Sequence, residues 1–166
     1  MLKELKLKNF KCFEELNMNF STVNILTGLN GMGKSTVMQS ILLLAQSQKS
    51  ILSDEALTIK GKHVNLGTGQ DILYEKAEED EIGIDVRTDE GKEKYLFEYQ
   101  PEADELPLKK YRPESDGVDF LSWTSGLLYL SAYHIEPQFF YPIANEKDIY
   151  DIHFGKNGEY AIQYLK

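Results

Sequence analysis

Cysteine occurs once in the sequence, as Cys12. A single thiol excludes an internal disulfide and fits a reducing compartment, so the expected localisation is cytoplasmic. As a lone small residue Cys12 is expected to be a half-buried filler rather than a nucleophile. Apolar runs of the roughly 20 residues needed to span a bilayer are absent, and Met1-Leu2-Lys3-Glu4 lacks the apolar core of a signal peptide. No membrane association is expected. Basic residues are in short supply, 18 Lys and Arg against 27 Asp and Glu, which leaves a net charge of −9. That balance excludes a general surface that binds DNA or anionic lipid, although a local basic groove stays compatible with it. Much of the acidity falls in Glu75 to Asp85 and Glu98 to Glu105, as expected of solvated loops and hairpin ends. Internal repeats and low-complexity stretches are also missing. The chain has 166 residues and is 42% hydrophobic, enough for one domain with a real core.

What is present is a concentrated motif. Gly28-Leu29-Asn30-Gly31-Met32-Gly33-Lys34-Ser35 fits G-x-x-x-x-G-K-[ST], the phosphate-binding loop. Before it, Val23 to Thr27 is a short β-prone run suited to a buried strand. After it, Thr36 to Ala45 is an apolar helix-forming segment, with Gln46 to Ser50 as a polar ending. Strand, glycine-rich turn and helix form the context this motif needs. The glycines let successive N–H groups converge on an anion, and the helix that follows adds its positive end. Lys34 supplies charge for the β- and γ-phosphates, and the Ser35 hydroxyl is a ligand for Mg²⁺. ATP and Mg²⁺ are therefore the expected ligands.

Around this centre, Leu2 to Lys8 and Leu16 to Phe20 alternate as an antiparallel pair joined through Asn9 to Phe13, followed by a turn at Ser21-Thr22. Ile51 to Leu66 reads as short strands and turns with Gly61 at a tip, and Asp71 to Lys76 as a short helical piece. Ile82 to Val86 and Tyr95 to Tyr99 form a hairpin about Asp89-Glu90-Gly91. Pro101 to Gly117 reads as an irregular excursion. Leu127 to Leu130 reads as a strand buried on both faces, and Glu159 to Lys166 as the first turns of a helix.

Three segments together resemble the N-terminal lobe of an ABC-type ATPase head of the SMC, RecF and OLD group. They are Leu7 to Phe13, similar to the L-x-N-F-[RK]-x-[FH] opening of those proteins, the loop Gly28 to Ser35 with Asn30 included, and Tyr129-Leu130-Ser131 through Gln138. The resemblance implies an α/β P-loop NTPase fold. A mixed β-sheet would surround a central phosphate-loop strand and helix, with a β-rich antiparallel subregion. It implies one lobe over 1–166: strands, loop and helix in 1–50, a β-rich insertion in 51–125, and a core strand with the Q-loop in 126–166. It implies that Lys11 lies near the phosphates, the alternative being a solvated turn lysine. Asn30, Gly31, Met32, Gly33, Lys34, Ser35 and Thr36 would wrap the phosphates, with Lys34 and Gln138 in catalysis and Ser35 and Gln138 on Mg²⁺. Gln70, in a glycine-flanked loop, competes with Gln138 for the Q-loop role, and His134 is read as structural.

No Leu-Ser-Gly-Gly signature and no apolar run ending in Asp-Glu is present, since Leu127 to Leu130 leads into Ser131-Ala132. The resemblance therefore implies a C-terminal half carrying both motifs as partner, a homodimer of heads, and DNA contacts through other regions. Head closure would serve DNA maintenance or defence against foreign DNA, and residues 1–166 alone would be inactive in hydrolysis. The alternative is a non-catalytic nucleotide-binding interaction module, or a split or truncated regulatory partner.

Overall fold

A computed structural model describes residues 1–53 and 55–113, together with positions 124, 127 and 129. The chain divides into two units, Met1–Ser125 and Gly126–Lys166, and the elements below belong to the first. In order they are β1 (Leu2–Phe10), β2 (Phe13–Asn19), α1 (Lys34–Leu52), β3 (Ala56–Thr58), α2 (Gly69–Ile72), β4 (Glu81–Thr88), β5 (Lys92–Glu98) and β6 (Glu105–Pro113). The strands form one six-stranded sheet in the order β2-β1-β4-β5-β6-β3. Every adjacent pair is antiparallel.

Alternation decides which face is buried. Leu5, Leu7, Ile82, Ile84, Val86, Tyr95 and Phe97 are all buried, and the register brings them together: Leu5 is opposite Val86, Leu7 opposite Ile84, Ile84 opposite Tyr95 and Ile82 opposite Phe97. Lys6, Asp85 and Lys94 occupy the intervening positions and share the other face, as expected of an antiparallel sheet with one wet side. On the core face the Tyr95 hydroxyl donates to the Glu93 carboxylate. Both residues are buried, so this bond offsets part of the cost of burying an acid.

The helix α1 runs seven residues past Ala45, to Leu52, and so corrects the expectation of a polar ending at Gln46 to Ser50. Its late polar side chains are contacts rather than a stop signal. Gln46 Nε2 donates to the Thr58 carbonyl at 2.6 Å, the Val64 N–H donates to Gln46 Oε1 at 3.0 Å, and the Thr58 N–H donates to Ser47 Oγ at 2.8 Å. They stitch α1 to β3 and to the turn closed by the Gly61 N–H on the Val64 carbonyl. Leu43 and Leu44 are fully buried.

One further expectation is corrected, and another is not met among the described residues. Residues 105–113, read as part of an irregular excursion, form β6 between β5 and β3. Pro107 is tolerated because it lies where β6 leaves the β5 ladder and pairs with Ala56 of β3, beside a register shift. More consequentially, the described residues do not show Val23 to Leu26 as the centre of a mixed sheet. The segment pairs with no strand among the described residues, and Val23 and Ile25 are 75% and 81% exposed. A strand buried on both faces needs neighbours on both sides, and the described sheet places none beside it. A local turn also engages its start, where Ser21 N–H donates to Asn24 Oδ1 and Asn24 Nδ2 donates to the Ser21 carbonyl, each at 2.9 Å. The strand read at Leu127 to Leu130 and the helix read at Glu159 to Lys166 lie outside the described residues, save positions 127 and 129.

Candidate phosphate-binding site

The loop Gly28 to Ser35 has the backbone its glycines permit. Gly28, Gly31 and Gly33 have φ of 144°, 80° and 85°. At Gly31 and Gly33 this is the left-handed region, which costs a residue with a β-carbon roughly 1 kcal/mol or more. Gly33 is the N-cap of α1, and the first helical bond runs from the Val37 N–H to its carbonyl at 3.1 Å. No side chain caps this helix end and its first turn holds no acidic residue. Its positive pole is thus left to whatever anion approaches.

Lys34 lies back across the loop, with its ammonium donating to the carbonyls of Gly28 at 2.8 Å and Leu29 at 2.6 Å. Asn30, Gly31, Met32 and Ser35 are exposed, so the loop surface and the Ser35 hydroxyl are accessible. Thr36 is buried, and its Oγ1 accepts from Cys12 Sγ at 3.7 Å.

The turn between β1 and β2 lies directly against the loop. A β-carbon on Gly33 would lie 2.9 Å from Cys12 Sγ and 3.0 Å from Phe13 Cε1, and closer still to Phe13 Cζ. Gly33 is therefore required twice, by its φ and by the aromatic ring beside it. Cys12 is exposed rather than half-buried, yet its sulfur touches both Gly33 and Thr36. Sequence reasoning missed Phe13 as part of the site. Its signal was the last position of the Leu7 to Phe13 opening, an aromatic that begins β2.

Lys11 is half-buried in that turn with φ of 53°, and its N–H donates to the Ile72 carbonyl at 2.8 Å. Burial lowers its ammonium pKa from the ordinary lysine value, while the nearby Asp71 carboxylate opposes the shift. Asp71 closes the N-terminus of α2 by accepting from the Thr68 N–H at 2.8 Å and the Thr68 hydroxyl at 3.1 Å. Those two bonds, the backbone one foremost, hold its carboxyl below the usual carboxylate range. Gln70 is exposed on α2, two residues before the carbonyl that receives the Lys11 N–H. Gln138 and His134 lie outside the described residues.

Among the described residues no group of three or more His, Cys, Asp and Glu side chains is placed to hold a metal. No helix among the described residues is long and apolar enough to cross a membrane.

The chain is similar to several known proteins over part of its length. It is 33% identical over 60 residues to the DNA replication and repair protein RecF of Bacillus cytotoxicus, a match covering 36% of this chain and 16% of that protein. It is 39% identical over 44 residues to the OLD nuclease of Thermus scotoductus, covering 26% of this chain and 8% of the nuclease. It is 41% identical over 44 residues to the DNA double-strand break repair Rad50 ATPase of Archaeoglobus fulgidus, covering 26% of this chain and 5% of that protein. The matched stretch thus spans less than a fifth of the length of each of these relatives. The AAA ATPase domain family matches residues 1–157, nearly the whole chain. With the phosphate loop and the Leu7 to Phe13 opening in place, the chain belongs to the AAA ATPase domain family, as an N-terminal lobe of the SMC, RecF and OLD type.

Proposed function

We propose that this chain is the ATP-binding lobe of an ATPase whose Mg-ATP binding and hydrolysis drive paired heads between open and closed states. The observation that carries the reading is the junction at Gly33. A left-handed glycine opens an uncapped helix there, and the next residue, Lys34, holds its ammonium over the loop. Such a junction can offer backbone N–H donors, a dipole end and a positive charge, which suit a polyphosphate better than a single carboxylate. When bound, Mg²⁺ neutralises charge on the phosphates, and Ser35 is the residue here that would hold it. Lys11, Asn30, Gly31, Met32 and Thr36 complete the proposed nucleotide contacts, with Gln138 as the proposed water-orienting residue. Similarity to RecF and Rad50 supports a role in DNA repair or maintenance, and the resemblance to the SMC, RecF and OLD group leaves defence against foreign DNA as the variant.

The test is calorimetric titration of residues 1–166 with ATP, with and without Mg²⁺. Saturable 1:1 binding that weakens when Mg²⁺ is chelated is the expected result. A silent titration of protein with an intact thermal melt would overturn the reading.

A further inference from the structure

The β1–β2 turn is held more firmly than a two-residue connection requires. Asn9 and Lys11 both take left-handed backbone conformations, φ 53° each, although neither is glycine. Such conformations persist where the surroundings over-determine them. Here the surroundings are explicit. The Lys11 N–H donates to the Ile72 carbonyl, the Tyr74 N–H donates to the Asn9 carbonyl at 3.1 Å, and Asn9 Nδ2 donates to the Glu81 carbonyl at 3.1 Å. Phe10 is fully buried and bridges to Leu73. The turn is thus clamped between α2 and β4. The residues it projects, Cys12 and Phe13, are the two whose side chains occupy the space over Gly33.

We propose that Phe13 is a positioning residue for the phosphate loop. Its ring braces Gly33 in the left-handed conformation that opens α1 toward an anion, so loop affinity depends on a side chain outside the motif. The proposal rests on the nucleotide-binding reading and adds a determinant to it. The physical argument is preorganisation. Gly33 with space above it samples many backbone states, and each must be given up when N–H groups converge on a phosphate. A ring fixed by the clamped turn removes those states beforehand. Phe13 would act through Gly33 and not by touching the nucleotide base.

The experiment compares wild type, Phe13→Leu and Phe13→Ala in calorimetric titrations with ATP and with inorganic tripolyphosphate, alongside nucleotide-free thermal melts. Expected is a graded loss, about tenfold in Kd for Phe13→Ala and less for Phe13→Leu, equal for the two ligands and unaccompanied by a large change in melting. Equal affinity in wild type and Phe13→Ala would overturn the proposal while leaving nucleotide binding intact. A loss confined to ATP would also overturn it, because the ring would then contact base or sugar. If Phe13→Ala does not fold, unchanged affinity in Phe13→Leu overturns the proposal just as well, and a loss shared by both ligands supports it. No binding of either ligand by wild type would sink the nucleotide reading, and this proposal with it.

Discussion

The Lys34 ammonium has partners within the loop itself, the carbonyls of Gly28 and Leu29. Both residues are exposed, so removing the ammonium leaves those carbonyls to water at little cost in stability. A bound polyphosphate has no such substitute. Lys34→Ala is therefore expected to lose about 2–5 kcal/mol of ATP affinity while its melt stays close to wild type. Unchanged affinity by calorimetry would remove Lys34 from the site. Lys11 gives a second residue-scale expectation, through protons. Burial lowers its pKa in the folded chain, so the unfolded state binds more protons in the window just below the ordinary value of 10.5. Through that window stability rises with pH. A phosphate placed beside Lys11 would favour the ammonium again. ATP binding should then take up protons in that alkaline window. Titrations in buffers of different ionisation enthalpy measure this, and Lys11→Met should abolish the uptake. If wild type takes up no protons there, Lys11 is a turn lysine and not a phosphate contact.

At the scale of elements, the apolar pattern predicted burial well in one half of the site and poorly in the other. Leu43, at 0% exposure in α1, and Ile25, at 81% in the segment before the loop, look alike in sequence. Leu43→Ala should cost about 2–5 kcal/mol through lost contacts and a residual cavity. Ile25→Ser should change stability by no more than about 0.5 kcal/mol, because no core is disturbed. Urea melts decide this, and a large loss for Ile25→Ser would mean that the segment packs against something. The contrast shows what was legible. Period-two alternation located β1, β2, β4 and β5, because β1, β4 and β5 each bury one face and β2 keeps Leu16 and Met18 half-buried between exposed neighbours. The phosphate loop was legible because glycine, lysine and serine are needed at fixed spacing. Burial of Val23 to Leu26 depends on neighbouring strands, which the run itself cannot specify. The continuation of α1 to Leu52 was hidden for the opposite reason. Gln46 and Ser47 look like a helix end, and only their bonds to Thr58 and Val64 show them facing another element. Phe13 was hidden because its partner is Gly33, a residue with no side chain to pair with it in a pattern.

For the whole molecule, binding and turnover make separate demands. Binding needs a backbone able to turn its N–H groups inward, a helix pole, Lys34 and Ser35, and residues 28–35 carry left-handed glycines at 31 and 33, an uncapped helix start and both side chains. Turnover also needs a carboxylate to position water, and charge on the γ-phosphate that develops only in the transition state. Groups of that kind each contribute orders of magnitude to phosphoryl transfer, so a site lacking them binds without hydrolysing. In this sequence the apolar run Leu127 to Leu130 leads into Ser131-Ala132 where an acidic pair would serve that purpose. The acidic stretch Glu78 to Glu81 is engaged elsewhere, with Glu79 paired to Lys8 and Glu81 to Lys109. Residues 1–166 by themselves are accordingly expected to bind Mg-ATP and to release phosphate no faster than their Lys34→Ala variant. A coupled phosphate-release assay measures both. Adding a polypeptide that carries an acidic pair after an apolar strand, together with a signature segment, should then raise the rate of the wild-type chain only. Turnover well above the Lys34→Ala control without any such partner would show that a carboxylate of this chain activates water on its own.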